Sequence, residues 1–152
     1  SIMRKTKKND PEVIIDQELP LNPKKKRSGA YSKNKGNAYE LKIVKELKEL
    51  TGNDNISTSR ANSKKLDNMK IDIFDEDDVL PCYFQLKKTQ TTPSVKKIND
   101  EVGKTNKPLV ILWNIQEKKE GNTNITSCGE YAIVPKDFFY DLLENQFKKD
   151  AQ

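Results

Sequence analysis

Apolar residues recur every three or four positions from Lys35 to Leu50, and Thr51-Gly52-Asn53 ends the run, which predicts a helix over 35–50. At about 100° per residue, Tyr39, Ile43, Val44, Leu47 and Leu50 form one stripe that faces a core, while Lys42, Lys45, Glu46, Lys48 and Glu49 fall on the wet side. Glu40 is the discord, because it lies inside the stripe. An uncompensated buried carboxylate costs several kcal/mol, so Glu40 needs a partner, a cation or a cleft. The plainer alternative places it at the rim of the first turn, where the helix dipole favours an acid.

Three short segments with strand character follow, at 56–60, 70–74 and 82–88, the last two joined by the acidic turn Asp75-Glu76-Asp77-Asp78. That turn lacks the glycine and the later glutamate of a calcium loop and reads as a solvated hairpin loop. A second helix is expected from Pro93-Ser94 to about Lys104, with Val95, Ile98 and Val102 on one face. The continuous apolar run Leu109–Trp113 reads as a central buried strand. Tyr131–Val134 reads as another strand, and 136–147 as a closing helix carrying Phe138, Leu142 and Leu143. The order of elements predicts an α/β or α+β fold with a central mixed sheet flanked by helices.

Residues 1–33 break this pattern. They hold three prolines, a possible short strand at Val13-Ile14-Ile15 and the run Lys24-Lys25-Lys26-Arg27, and read as a basic, flexible arm before a domain over 34–152. Nine Lys/Arg against four Asp/Glu there account for the whole formal net charge of +5. Such an arm attracts polyanions, nucleic acid before anionic membrane, because each phosphate contact releases a counterion. Only two cysteines are present, too few for a zinc site, and a reducing interior is expected. The chain has no histidine, which excludes Ser/His/Asp and Cys/His nucleophilic sites and every His-containing zinc motif. No apolar run reaches the roughly 18 residues of a membrane span, so a cytoplasmic protein with no membrane partner is expected.

Hydrolytic chemistry is thereby restricted to carboxylates, amides, lysines and a hard metal ion. Strand alternation puts Lys70, Asp72 and Phe74 on one side and Ile71 and Ile73 on the other. It also separates Cys82, Phe84 and Leu86 from Tyr83, Gln85 and Lys87. If the two strands pair as a hairpin, Asp72, Gln85 and Lys87 converge. A carboxylate and an amide oxygen are the hard ligands that Mg²⁺ prefers, and a lysine orients a nucleophile or stabilises charge on a phosphoryl group. Glu40 would join them through water or a second ion. The plainer reading is an edge-strand acid and a solvated strand face.

The series Lys35-Gly36-Asn37-Ala38-Tyr39-Glu40, Thr58-Ser59-Arg60-Ala61-Asn62-Ser63, Ile71-Asp72-Ile73 and Phe84-Gln85-Leu86-Lys87 resembles the archaeal-type Holliday junction resolvases and their phage-borne relatives, within the PD-(D/E)xK nucleases. The resemblance covers about residues 33–113. It implies a restriction-endonuclease-like fold, with Glu40, Asp72 and Gln85 as the metal-site group for Mg²⁺, or Mn²⁺ in its place, and Lys87 as the catalytic lysine. Arg60 and Ser63 would position the scissile phosphate, with Asp67 as an auxiliary acid. Lys35, Lys88, Lys96 and Lys97 would lie on the DNA side. It further implies a homodimer that cuts DNA four-way junctions symmetrically, in the host cytoplasm if the gene is phage-borne. One departure stands out: Gln85 occupies the position where glutamate is commoner. Two other readings stay open, a nuclease acting on linear duplex DNA and a DNA-binding protein without catalysis.

Overall fold

The computed structural model describes residues 29–121 and 123–151, with the side chains of 29–32 and 34 excepted. The basic run at 24–27 and the strand expected at 13–15 lie outside the described residues. The account below concerns the compact unit Lys33–Gln152.

Its elements run α1 (Gly29–Thr51), β1 (Ile56–Thr58), α2 (Ser59–Asn62), α3 (Lys64–Asn68), β2 (Ile73–Asp75), β3 (Tyr83–Thr89), α4 (Val95–Val102), β4 (Leu109–Lys118), β5 (Ile125–Ile133) and α5 (Lys136–Asp150). The fold is mixed α+β. β3 and β4 pair in parallel, Tyr83 opposite Leu109 and Thr89 opposite Ile115. β5 returns antiparallel on β4, with a bulge at Ile115/Gln116. The expected central strand is β4, between β3 and β5. β1 and β2 form a separate antiparallel ribbon, Ile56 opposite Asp75.

The sheet buries both faces. Phe84 and Val110, with Leu86 and Leu112 beside them, pack against Tyr39, Ile43, Val44 and Leu47 of α1. On the other side Leu109 and Ile111, with Tyr83 and Ile133, meet Ile98 and Val102 of α4 and Ile71. Strand alternation accounts for this two-sided core. α1 is further pinned to β5, where Tyr39 Oη donates to Glu130 Oε1 (3.1 Å) and Lys42 Nζ to Glu130 Oε2 (2.5 Å).

Several expectations are corrected. α1 starts six residues earlier than its stripe indicates. Leu50 is 80% exposed rather than core, since Leu47 is the last residue of α1 to reach the sheet and Gly52, at φ 71°, turns the chain away. The strand expected over 56–60 stops at Thr58 and the chain turns helical. Lys70 cannot begin a strand, because its φ is 65°. Its N–H bonds the carbonyl of Asp67 and the Ile71 N–H bonds that of Leu66, so Lys70 is the left-handed residue that closes α3, with Ile71 packing back on Leu66. Ile71 and Ile73 consequently enter different cores instead of sharing a face. The hairpin is also absent as a ladder: β2 pairs with β1, and β3 pairs with β4.

Candidate active site

Asp72 sits where a β2–β3 ladder would have run, and two bonds replace that ladder. Its N–H donates to the Phe84 carbonyl (2.9 Å), and its Oδ2 accepts from the Leu86 N–H (2.8 Å). The carboxylate thus takes the place of a backbone carbonyl. On the other side the Asp72 carbonyl accepts from the Ser59 N–H (2.9 Å), while buried Ser59 donates its hydroxyl to the Ile71 carbonyl. Asp72 is therefore clamped by main-chain bonds from two elements. The sequence pattern includes Ser59 in the Thr-Ser-Arg run beside Arg60 but assigns it no role.

Burial pushes the Asp72 carboxyl up to about 6, against the Leu86 N–H bond and the charge of Lys87, which both favour ionisation; Glu40 and Asp67 raise it further. Glu40 is raised too, by burial first, with Arg60 opposing and Asp67 adding to the shift. Asp72, Glu40, Asp67, Lys87 and Arg60 thus share one electrostatic neighbourhood. Arg60 Nε contacts Glu40 Oε1 at 3.3 Å, and the Glu40 side chain is 17% exposed. The partner required for an acid on the apolar stripe is that guanidinium. The first-turn explanation fails, because Glu40 lies about three turns into α1.

Gln85 is buried, and its Nε2 donates to the Lys70 carbonyl (3.0 Å). That carbonyl fixes the orientation of the amide, since a flipped group would set two acceptors against each other. Among the described residues Gln85 Oε1 remains buried without a partner. A buried acceptor left unbonded costs about 1–3 kcal/mol, a cost that Asp75 Oδ1 shares. Among the described residues no three His, Cys, Asp or Glu side chains form a metal-ligating group. Asp72 and Glu40 are two carboxylates with raised pKa in one field, and Gln85 contributes an orphaned amide oxygen on the strand that Asp72 bonds; carboxylate and amide oxygens are the kinds of donor that suit a hard divalent cation.

The remaining expected residues are spread more widely. Ser63 caps α3, accepting from the Leu66 N–H (3.3 Å). Lys88 lies on the opposite face of β3 from Lys87, in the field of Glu130. Lys96 pairs with Asp100 at 2.9 Å on the exposed side of α4, and Lys35 is half-buried on α1. Lys97 stands with Lys87 in a groove of about 360 Å³, together with Thr89, Thr91, Thr92 and Ser94. Those hydroxyls were not singled out in the sequence, where the run Thr89-Gln90-Thr91-Thr92-Pro93-Ser94 reads only as a helix-starting loop.

No protein family model, curated protein or solved structure matches this chain. Among the described residues no helix is long and apolar enough to cross a membrane.

Proposed function

We propose that the protein is a metal-dependent DNA endonuclease of the restriction-endonuclease-like class, acting on four-way junctions. The observation that carries this reading is the Asp72 corner. A main-chain-clamped carboxylate at a pKa of about 6 shares one field with a second raised carboxylate at Glu40 and with Lys87, and the strand that Asp72 bonds carries an orphaned amide oxygen at Gln85. Acids whose pKa burial raises despite a partner, as at Asp72 and Glu40, are characteristic of sites poised for a cation or a reaction. Asp72, Gln85 and Glu40 would hold Mg²⁺, or Mn²⁺ in its place. When bound, the ion supplies a water of lowered pKa and neutralises charge gathering on the phosphate.

The chain's own groups do the rest. Lys87 offers an ammonium to the phosphate oxygens, and Arg60, with Nε on Glu40, keeps its Nη donors for a neighbouring phosphate. The groove between Lys87 and Lys97 offers hydroxyls and positive charge to the backbone of the same strand, contacts that position DNA without reading its sequence.

Gln85 favours a second reading, a DNA-binding protein without catalysis, since an amide adds no charge to the donor set. One assay separates the readings: a synthetic four-way junction and a linear duplex of the same arms, each with Mg²⁺ and with EDTA, for wild type and Asp72→Asn. Symmetric nicks on the junction alone, lost with EDTA and in the variant, are expected. Cleavage of both substrates would indicate a duplex nuclease, and tight junction binding with no cut would leave only the binding protein.

A further inference from the structure

Glu40 and Arg60 form an ion pair inside the candidate site, and the two are anchored unequally. α1 is fixed on both sides of Glu40, because Tyr39 and Lys42 both donate to Glu130 of β5. The Glu40 carboxylate therefore cannot leave without moving that helix. Arg60 belongs to α2, whose first residue Ser59 is bonded to the Ile71 and Asp72 carbonyls, but its own side chain is long, rich in rotamers and 38% exposed. Arg60 is the member that can move. The contact itself is a loose one, made by Nε alone at 3.3 Å, against about 2.7–2.9 Å for a strong charge-assisted bond.

Glu40 nevertheless depends on that contact. Among the described residues no other hydrogen bond or ion pair reaches its carboxylate, and Arg60 is the group that favours its ionisation against burial and Asp67. The guanidinium thus stands where a counterion is needed, on an oxygen that a divalent cation would also use. Two cations on one carboxylate oxygen repel each other, so the second can enter fully only as the first withdraws. A phosphate gives Arg60 somewhere better to go, since it can take the guanidinium fork in a two-bond grip where Glu40 takes a single Nε–H.

We propose that Arg60 is a resident counterion that holds Glu40 in the free protein and yields it to a divalent cation when a DNA phosphate draws the guanidinium away. Metal and DNA then favour each other's binding, and the coupling is reciprocal. Without DNA, Arg60 opposes the cation at Glu40; without metal, Glu40 holds Arg60 back from the phosphate. The inference rests on the nuclease reading and adds a regulation to it, a site that Arg60 keeps closed to the ion until DNA is in place.

The test is a double-mutant cycle on the full chain, with Glu40→Gln, Arg60→Gln and the two combined, read by two binding assays that need no cleavage. In EDTA, Glu40→Gln should bind a four-way junction about threefold to tenfold more tightly than wild type, and the gain should vanish in the double variant. Without DNA, Arg60→Gln should bind Mn²⁺ about threefold to tenfold more tightly, while Arg60→Lys, which keeps the charge, should stay within about twofold of wild type. Circular dichroism melts check that each variant is folded. A Glu40→Gln gain that persists without Arg60 would mean that net charge alone matters and would overturn the exchange, as would Mn²⁺ binding that Arg60→Gln leaves unchanged or weakens. Junction cleavage by wild type would in either case leave the nuclease reading standing. Failure of wild type and Arg60→Gln alike to bind Mn²⁺, with no cleavage, would end that reading and the exchange with it.

Discussion

Asp72, just before β2, and Asp75, its last residue, lie three residues apart and are both largely removed from water, yet their surroundings differ completely. Asp75 is held in a cage. Its Oδ2 accepts from the Leu80 N–H (2.7 Å) and stands 3.9 Å from Lys107 Nζ, with side-chain exposures of 9% and 13%. Lys107 also donates to the Leu80 carbonyl (2.8 Å), contacts Asp78 and lies over the Tyr83 ring. Asn53 and Asn55 hold Asp77 in turn, so the acidic turn is tied down rather than merely solvated. Asp72 is fixed just as firmly by the main chain but, among the described residues, has no cation within ion-pair distance. One carboxylate is held through its Oδ2 by a main-chain N–H and a lysine, with only its Oδ1 left unbonded, and serves the fold. The other is positioned by the fold and left electrostatically unsatisfied, which is how a site differs from a staple.

Asp72→Asn should break that contrast with the largest effect. Cleavage is expected to fall by about a thousandfold or more, because the ionised oxygen of the donor set is lost. Stability should move the other way. The folded pKa, about 6, lies above the ordinary aspartate value, so the folded protein holds its proton where the unfolded chain has lost it. Wild-type stability therefore falls as pH rises from about 4 through 6, while an asparagine carries no such penalty. Above pH 7 the metal-free variant should be up to about 3 kcal/mol more stable than wild type, with the gap closing near pH 4. Chemical denaturation at pH 4, 6 and 7.5 measures it, and an equal or less stable variant at pH 7.5 would mean that Asp72 is structural.

Lys107→Met should do the opposite. It strands the buried Asp75 beside a methionine, while exposed Asp78 turns to solvent, and a loss of about 3 kcal/mol is expected with junction binding unchanged at permissive temperature. Denaturant midpoints and a binding titration check both halves. Gln85→Glu is a smaller and subtler probe. A carboxylate cannot donate to the Lys70 carbonyl as Gln85 Nε2 does, so the metal-free protein should lose about 2 kcal/mol. The added charge should lower the Mg²⁺ concentration needed for half-maximal cleavage. A variant as stable as wild type would show that the Lys70 bond does not explain the amide.

The parts of this corner that were legible in the sequence are those governed by periodicity. The stripe of α1 isolated Glu40 as needing a partner, and strict alternation along Tyr83–Lys87 separated Gln85 and Lys87 from the Phe84 and Leu86 face. What stayed hidden depends on single backbone residues or on distant bonds. Nothing in the string Asp67-Asn68-Met69-Lys70 marks a lysine as the left-handed end of a five-residue helix. The hairpin expectation set Asp72 beside the strand of Gln85 and Lys87, and Asp72 does bond that strand, but not through a ladder. Asp72 meets β3 through its own carboxylate, because the helical detour over 59–68 allows β2 to pair with β1 instead. Lys107 as the counterion of Asp75 could not be read at all, since the two are brought together only when β4 enters the sheet.

Lys70 yields the last and smallest prediction. A non-glycine residue in the left-handed region is strained by roughly 1 kcal/mol, and Lys70, at φ 65°, bears that strain at the end of α3. What it secures is the direction of its carbonyl, which accepts from Gln85 Nε2 and so leaves Gln85 Oε1 unbonded. Glycine adopts the same conformation without a Cβ clash and is the residue that most often closes a helix in this way. Lys70→Gly should therefore stabilise the protein by up to about 1 kcal/mol while preserving the Gln85 bond. If its carbonyl direction is all that Lys70 contributes, cleavage should stay within about twofold of wild type. A stabilised variant with activity reduced tenfold would instead show that the exposed ammonium of Lys70 itself meets the DNA, extending the site across the end of α3.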